Sequence, residues 1–202
     1  MRGKFITFEG VDGAGKSTHV EWFAGELRAA GRVVKVTREP GGSDLSEKLR
    51  ELVLREPMNA LTETLLMFAA RDDHLRKRIE PAIAAGKWVV CDRFTDATLA
   101  YQGAGKGVDV KLIESLAEAI HPNTVPDRTL IFDCPYEVSR VRMEKSGRAL
   151  DRFEREGQAF FERVRDSYLA IAAKEPGRVR VIDSTRTLEE IRAELRSIVA
   201  EL

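Results

Sequence analysis

The most informative segment of the chain reads Gly10-Val11-Asp12-Gly13-Ala14-Gly15-Lys16-Ser17. It fits the pattern G-x-x-x-x-G-K-[ST] at every fixed position. A short β-prone run precedes it at residues 5–9, and a helical pattern follows at residues 18–30 and stops at Gly31. This context disfavours the alternative, a glycine-rich turn that happens to precede a helix. The segment therefore predicts a strand, a phosphate-binding loop and a helix in succession.

The chemistry of this loop suits a nucleoside triphosphate. Backbone N–H groups can surround a phosphate at the helix N-terminus, and the glycines let the chain approach it closely. Lys16 supplies a positive charge for the β- and γ-phosphates, and the Ser17 hydroxyl can ligate Mg²⁺. The residues predicted to bind ATP in this segment are Gly10, Val11, Asp12, Gly13, Ala14, Gly15, Lys16, Ser17 and Thr18.

The composition limits the kinds of partner. The chain has 202 residues, with 33 basic and 33 acidic side chains and a formal net charge of zero. We therefore expect one domain over residues 1–202 and no nucleic-acid partner, because nucleic-acid binders usually carry a basic excess. Cys91 and Cys134 each end an apolar run, so we expect reduced, buried thiols and a cytoplasmic location. The sequence also predicts no signal peptide and no membrane span.

Apolar runs alternate with helical stretches along the whole chain. The runs at residues 5–8, 33–36, 88–91, 129–132 and 179–182 predict five strands, and most are continuous, as in a parallel sheet covered on both faces. A long apolar-rich segment at residues 61–85 predicts a helix that ends at Gly86, and residues 187–199 predict a final helix that begins with a capping box. The pattern predicts an α/β fold with a five-stranded parallel sheet flanked by helices.

Ligands of such sheets bind beyond the carboxyl ends of the strands. Arg38 follows the second predicted strand and Arg93 the third, so both are candidates to hold a phosphate bidentately. The alternative is a surface ion pair for each, with Glu39 and Asp92 as partners. Asp92 itself is a candidate to hold Mg²⁺ through water.

Several further segments make the sequence similar to one family. They are Phe8-Glu9 together with the loop, Thr37-Arg38-Glu39-Pro40-Gly41-Gly42, Phe68-Ala69-Ala70-Arg71, Asp92-Arg93, Tyr101-Gln102-Gly103 and Leu150-Asp151-Arg152. In this order, and over nearly the whole chain, they resemble the thymidylate kinases of bacteria, which are P-loop nucleoside monophosphate kinases. The resemblance implies ATP-dependent phosphorylation of dTMP to dTDP, a step towards dTTP, by direct in-line phosphoryl transfer with Mg²⁺. It also implies a homodimer, for which the helix at residues 61–85 could supply an interface.

The resemblance assigns roles to individual residues. Arg38 and Arg93 would hold the acceptor phosphate, Phe68 would stack on thymine, Arg71 would hydrogen-bond the base, and Asp12 would face the 3′-hydroxyl and the metal. Pro40, Thr98, Tyr101 and Gln102 would complete the pocket for dTMP, and Arg142 would lie against adenine. For Phe68 and Arg71, three residues apart on one helix face, the alternative is a core phenylalanine and an arginine paired with Asp72 or Asp73.

A lid is expected at about residues 144–155. The variable positions of the phosphate-binding loop contain no basic residue, and phosphoryl transfer needs cations around the transferred group. The catalytic candidates are therefore Lys16, Arg93, Arg148 and Arg152. Arg148 and Arg152 could instead belong to a solvated charged helix end.

Ala97 stands where relatives often carry a hydroxyl residue. The alternatives to a thymidylate kinase are a P-loop kinase for another nucleoside monophosphate, a guanine-nucleotide switch and an ATP-dependent nucleic-acid protein.

Overall fold

The computed structural model describes residues 2–145, 147, 149 and 151–202. The strands in these residues are β1 (Phe5–Gly10), β2 (Val34–Arg38), β3 (Trp88–Asp92), β4 (Arg128–Asp133) and β5 (Val179–Asp183). The helices are α1 (Lys16–Ala29), α2 (Asp44–Arg55), α3 (Ala60–His74), α4 (Glu80–Ala84), α5 (Thr95–Thr98), α6 (Val110–Ile120), α7 (Tyr136–Lys145), α8 (Gln158–Lys174) and α9 (Leu188–Glu201).

The strands form one parallel sheet in the order β2-β3-β1-β4-β5. This confirms the predicted α/β fold with a five-stranded parallel sheet flanked by helices. All six residues of the central strand β1 are buried, as expected where helices cover both faces of a parallel sheet. β1, β2 and β3 continue one or two residues beyond the predicted apolar runs. Polar residues such as Glu9, Arg38 and Asp92 interrupt the apolar pattern, but the backbone pairing continues through them.

The register brings the carboxyl ends of three strands together. Phe8 in β1 and Arg38 in β2 both lie opposite Asp92 in β3. The loop that follows β1 therefore starts beside the residues that end β2 and β3. This edge of the sheet is where the sequence places its phosphate-binding candidates.

The long helix predicted at residues 61–85 forms with one irregularity. A π-helical stretch, Leu75–Ile79, joins α3 to α4. Pro81 lies in the first turn of α4, and in a regular helix its ring would clash with the carbonyl of Lys77. The wider turn just before the proline accommodates it. A second π-helical stretch, Leu99–Gly105, follows α5.

The core lies on both sides of the sheet. Phe8 packs against Phe23 of α1 and Phe132 of β4, with ring centroids 5.3 and 5.6 Å apart.

Cys91 and Cys134 are buried, free thiols, as predicted. The capping box predicted for the last helix is present, with Thr187 and Glu190 exchanging hydrogen bonds. In the described part of the chain, no helix combines the length and the apolar character needed to cross a bilayer.

Candidate active site

The glycine-rich loop turns between β1 and α1. Gly10 has a φ of 124°, and a Cβ at this position would lie 2.2 Å from the carbonyl oxygen of Phe132, so only glycine fits between β1 and β4. Lys16 begins α1, and its Nζ donates to the carbonyl oxygens of Gly10 and Val11 at 3.0 Å. Burial and the nearby Arg93 guanidinium lower the pKa of Lys16. The loop thus holds a cation at a helix N-terminus, where an anion is favoured.

A cavity of about 620 Å³, here called the larger cavity, extends from this loop. Residues 12–18 line one side of it, and Arg142, Ser184 and Arg186 line the other. Arg142 Nη2 donates to the carbonyl oxygen of Ser184 at 2.7 Å, and Nη1 lies 3.4 Å from that of Ala14. The structure therefore joins Arg142 to the loop, in one cavity with most of the residues predicted to bind ATP.

Asp92 and Ser17 line the same larger cavity. Asp92 Oδ1 is buried and has no hydrogen-bond partner among the described residues. Mg²⁺ is usually held by only one or two protein oxygens, with water and phosphate as its other ligands. A hydroxyl and a carboxylate with an unpartnered oxygen, both facing a phosphate-binding loop, fit that kind of site.

Arg93 is held by hydrogen bonds on both of its terminal nitrogens. Nη2 donates to Asp12 Oδ1 at 2.6 Å and to the Tyr101 hydroxyl at 3.0 Å, and Nη1 donates to the Gly10 carbonyl at 2.9 Å and to the Tyr168 hydroxyl at 3.2 Å. Its guanidinium carbon lies 4.7 Å from the centre of the Tyr101 ring. The side chain of Arg93, the residue that follows β3, is thereby fixed against the loop.

The ion pair of Arg93 is therefore with Asp12, and not with Asp92 as the alternative supposed. The backbone of Arg93 has a φ of 73°, in the left-handed region. Tyr101 donates to the second oxygen of Asp12 at 2.8 Å. Burial alone would raise the pKa of Asp12, but the Arg93 and Lys16 cations outweigh it and hold that pKa below its usual range. Asp12 is therefore an anion between two cations.

Glu9 was not among the predicted site residues, although it stands beside the loop. Its side chain is fully buried; Oε1 accepts the Phe94 backbone N–H at 2.6 Å, and Oε2 accepts the Tyr168 hydroxyl at 2.8 Å. Burial, aided by the Asp96 charge, raises the pKa of Glu9 to about 8. Through Tyr168 and Phe94, Glu9 supports the backbone and the guanidinium of Arg93. The sequence signals of this role were a carboxylate at the end of an apolar strand and its place in the Phe8-Glu9 segment of the family resemblance.

A second cavity, here called the smaller cavity, has a volume of about 100 Å³. It is lined by seven of the residues predicted to bind dTMP, namely Asp12, Pro40, Arg71, Arg93, Thr98, Tyr101 and Gln102. Ala97, Leu54, Met67, Phe94 and Phe153 also line it. It therefore combines a mainly apolar wall with a few polar groups, as small-molecule sites usually do.

Arg71 forms a buried ion pair. Its Nε lies 2.7 Å from Glu39 Oε2, and the two side chains are 3 and 4% exposed. Nη2 donates to the Thr98 hydroxyl at 3.1 Å, whereas Nη1 is buried and has no partner among the described residues. The alternative pairing with Asp72 or Asp73 is wrong. One donor of Arg71 thus remains for a ligand.

Glu39 and Phe68 hold Arg71 from two sides. His74 Nδ1 lies 3.0 Å from Glu39 Oε1; burial would raise the pKa of Glu39, but Arg71 and His74 hold it below its usual range. Phe68 is 1% exposed, and its ring centre lies 4.8 Å from the Arg71 guanidinium carbon. Phe68 is not among the residues that line the smaller cavity. Its stacking on a base stays a prediction.

Arg38 and Arg50 are two further arginines that line the larger cavity. Arg38 lines the larger cavity but is half exposed and pairs with Glu47 at 2.9 Å, not with Glu39. Arg50, which sequence reasoning missed, donates to the Pro40 carbonyl at 2.8 Å. It lies on α2, where only its spacing on an amphipathic helix could have suggested an inward position.

The two cavities meet. Five residues line both of them, namely Asp12, Glu39, Arg50, Arg93 and Asp151. Two of the five are arginines and three are acidic residues, so the boundary between the cavities carries charges of both signs. The two arginines place guanidinium groups against both cavities.

Of the two lid arginines, Arg152 is described and Arg148 lies outside the described residues. Arg152 Nε donates to the Val53 carbonyl at 2.6 Å, and Nη2 pairs with Glu63. The neighbouring Asp151 and Phe153 line the smaller cavity. Arg152 is therefore close to the site but bound to α2 and α3 in this structure.

Comparisons with known proteins agree on one family. The family model described as thymidylate kinase matches residues 8–195. Thymidylate kinase from Bordetella pertussis is 57% identical over 201 residues, which cover all of this chain and 96% of the relative, and that from Cupriavidus metallidurans is 54% identical over the full length of both. The crystal structure of thymidylate kinase from Ehrlichia chaffeensis superposes with a TM-score of 0.80 at 35% identity and covers 99% of each chain.

Proposed function

The chain belongs to the thymidylate kinase family, and we infer from this that it transfers the γ-phosphoryl group of ATP to dTMP, giving dTDP and ADP. The observation that carries this inference is the meeting of the two cavities at Arg50 and Arg93. One cavity contains the triphosphate loop, and the other has the polar groups expected of a base pocket. Phosphate groups of the two substrates would meet at their boundary.

The reaction needs positioning and charge neutralisation more than a general base. The phosphate of dTMP has a second pKa of about 6 and is mostly a dianion at neutral pH. One of its oxygens forms a bond to the γ-phosphorus while the bond from that phosphorus to the bridging oxygen of ADP breaks. We assign Lys16 to the β- and γ-phosphates, and Arg38, Arg50 and Arg93 to the acceptor phosphate.

The assignments for Mg²⁺, the deoxyribose and the adenine also follow the division of the site into two cavities. Ser17 and Asp92 would hold Mg²⁺, which supplies charge neutralisation on the β- and γ-phosphates when bound. Asp12, an anion beside the boundary of the cavities, is placed to accept a hydrogen bond from the deoxyribose hydroxyl. Arg142 would lie against the adenine of ATP.

The smaller cavity offers one donor and one acceptor that match thymine. Arg71 Nη1 has no partner among the described residues, so it is available to donate to a 4-oxo group. Gln102 uses its Nε2 in a hydrogen bond to Glu63, so its Oε1 is available to accept the N3–H. Cytosine presents the opposite pattern, with a 4-amino donor and an N3 acceptor. This pattern supports a thymine or uracil nucleotide over a cytosine nucleotide.

Arg152 is the described candidate for a further cation at the transferred group, together with Arg148. In the present structure Arg152 pairs with Glu63. We propose that it exchanges this partner for the phosphoryl group when both substrates are bound, and that it acts in the transition state.

An assay of ADP release over a panel of nucleoside monophosphates tests the proposed function. We expect dTMP to give the highest kcat/KM, dUMP a lower one, and dCMP and the purine nucleotides much lower ones. Preference for any other nucleotide would contradict the assignment. The variant Arg71→Met serves as a control, because it should lower kcat/KM for dTMP without changing the KM for ATP.

We also propose a homodimer. Leu45 and Leu52 of α2 and Leu61 and Leu65 of α3 are 46–48% exposed, and the two helices pack side by side. Burying these side chains against a second copy would remove an apolar patch from water. Sedimentation velocity should give a dimer, and Leu61→Glu should give a monomer; a monomeric unmodified chain would contradict the proposal.

The two free thiols support a cytoplasmic location. Cys91 and Cys134 are buried and reduced, as is usual in a reducing compartment. Fractionation of the source cells should recover the activity with the cytoplasmic enzymes. Activity in a membrane or periplasmic fraction would contradict this location.

A further inference from the structure

Glu63 is a fully buried carboxylate outside the described catalytic groups. Its Oε1 accepts the Gln102 amide Nε2 at 2.7 Å, and its Oε2 accepts Lys106 Nζ at 2.8 Å and is paired with Arg152. Two cations on one oxygen favour the ionised form of the carboxyl group. Glu63 is therefore a hydrogen-bond acceptor only.

This acceptor fixes the orientation of the Gln102 amide. A glutamine amide can present either its NH₂ group or its oxygen in a given direction, and the hydrogen-bond network decides between them. With an ionised Glu63 on one side, the NH₂ group must point to Glu63. Gln102 is 2% exposed and lines the smaller cavity, and its side chain's hydrogen bond among the described residues is the one from Nε2 to Glu63. The oxygen is thus the group left to meet a ligand.

We propose that Glu63 is a positioning residue for base specificity: it locks Gln102 so that the smaller cavity accepts a pyrimidine with an N3–H and rejects one with an unprotonated N3. The proposal rests on the proposed function and deepens it. Glu63 does not line the cavity and acts through the orientation of Gln102.

The competing explanation is that Glu63 is only a counter-ion for Lys106 and Arg152. The two explanations differ in what they predict for selectivity. A lost counter-ion would disturb the site for every nucleotide alike. A freed amide would change the relative rates of two nucleotides that differ only at positions 3 and 4 of the base.

The test compares dTMP with 5-methyl-deoxycytidine monophosphate, which keeps the methyl group and the sugar and differs only in the 4-amino group and N3. The ratio of kcat/KM for the two nucleotides is measured in the unmodified enzyme and in Glu63→Gln. A neutral glutamine can donate as well as accept, so Gln102 could turn. We expect the ratio to fall about tenfold, the size of one hydrogen bond exchanged for a mismatch, while the KM for ATP stays unchanged.

Lys106→Met is the matched control, because it removes a cation from Glu63 and leaves the carboxylate beside Gln102. In Lys106→Met, the ratio of kcat/KM for dTMP to that for 5-methyl-deoxycytidine monophosphate should equal the ratio in the unmodified enzyme. Since Glu63→Gln leaves two partly buried cations less well compensated, the ratio is also measured in Glu63→Gln/Lys106→Met, where one cation leaves with the carboxylate. The same fall is expected there, so the test does not depend on the single variant being folded.

Two results would count against these inferences, and they are distinguishable. If kcat/KM falls equally for both nucleotides in the Glu63 variants, or if Lys106→Met shows the same fall in the ratio, Glu63 is a counter-ion and the proposal is wrong. If the unmodified enzyme does not prefer dTMP, the proposed function itself is wrong.

Discussion

Replacement of Arg71 by methionine should weaken the fold and the binding of dTMP by amounts that can be separated. The ion pair between Arg71 Nε and Glu39 Oε2 is 2.7 Å long, with side chains only 3 and 4% exposed. Removal of one partner from a buried pair costs about 3–5 kcal/mol. We expect the lower end of that range, because His74 lies 3.0 Å from the other oxygen of Glu39 and can compensate its charge. Methionine retains an unbranched apolar stem against Phe68, which limits the cavity left behind.

The effect on binding has a different origin. Arg71 Nη1 has no protein partner among the described residues, and we have assigned it to the 4-oxo group of thymine. A hydrogen bond from a charged donor contributes about 1.5–3 kcal/mol, which corresponds to a loss of roughly 10- to 150-fold in affinity for dTMP. The affinity for ATP should not change, because Arg71 does not line the larger cavity.

Urea unfolding and titration calorimetry with dTMP and with an ATP analogue measure the two effects. The double variant Arg71→Met/Glu39→Gln is the control: it removes the uncompensated carboxylate and should recover part of the stability, but it should not recover dTMP binding. If Arg71→Met binds dTMP as tightly as the unmodified enzyme, the base assignment is refuted. If the double variant is no more stable than the single one, the buried pair is not the source of the destabilisation.

Three further predictions follow from the site. Lys16→Ala should keep its circular dichroism spectrum but lose about a hundredfold or more in turnover, and near-normal turnover would contradict the phosphate-binding loop. Arg152→Ala should lower kcat and leave the KM values for ATP and dTMP nearly unchanged; an unchanged kcat in steady-state kinetics would remove Arg152 from the transition state. For Glu9, the native pKa of about 8 exceeds the usual value of 4.5. Between these two pH values the native state therefore binds more protons than the unfolded state. The protonation of Glu9 thus stabilises the native state at low pH, and this stabilisation is lost as the pH rises through about 8. Urea unfolding between pH 5 and pH 9 should show a smaller loss in Glu9→Gln, and an equal loss would contradict the raised pKa.

The fold could be predicted because its signals are local. The loop from Gly10 to Ser17 and the apolar strands depend on short stretches of sequence, and parallel strands bring their carboxyl ends to one edge without further information. Arg38 and Arg93 could therefore be placed near the loop before any contact was known. The π-helical stretch before Pro81 was missed, because a proline inside a helical pattern predicts a disturbance but not its form.

The partners of the charged side chains could not be predicted in the same way. Arg71 pairs with Glu39, 32 positions away, and Arg93 pairs with Asp12, 81 positions away, whereas the sequence suggested their immediate neighbours. Such pairs are set by how α2, α3 and the loops pack, which no periodicity records. Arg50 and Glu63 were missed for that reason, because nothing in the sequence distinguishes either of them from the other charged residues on the helices. Roles that depend on bound substrates, such as those of Phe68 and Arg152, stay predictions.

The left-handed backbone of Arg93 places local strain on a residue whose side chain also holds the site together. A φ of 73° suits glycine better than arginine, and a residue held in such a conformation costs about 1–3 kcal/mol. Glycine at position 93 would remove that cost, but it would also remove the hydrogen bonds to Asp12, Gly10, Tyr101 and Tyr168. The Asp12 anion would then lose its ion-pair partner, and such a loss exceeds or equals the strain that is relieved. A laboratory selection that rewards only thermal resistance would therefore retain this arginine, and with it the guanidinium that lines both cavities.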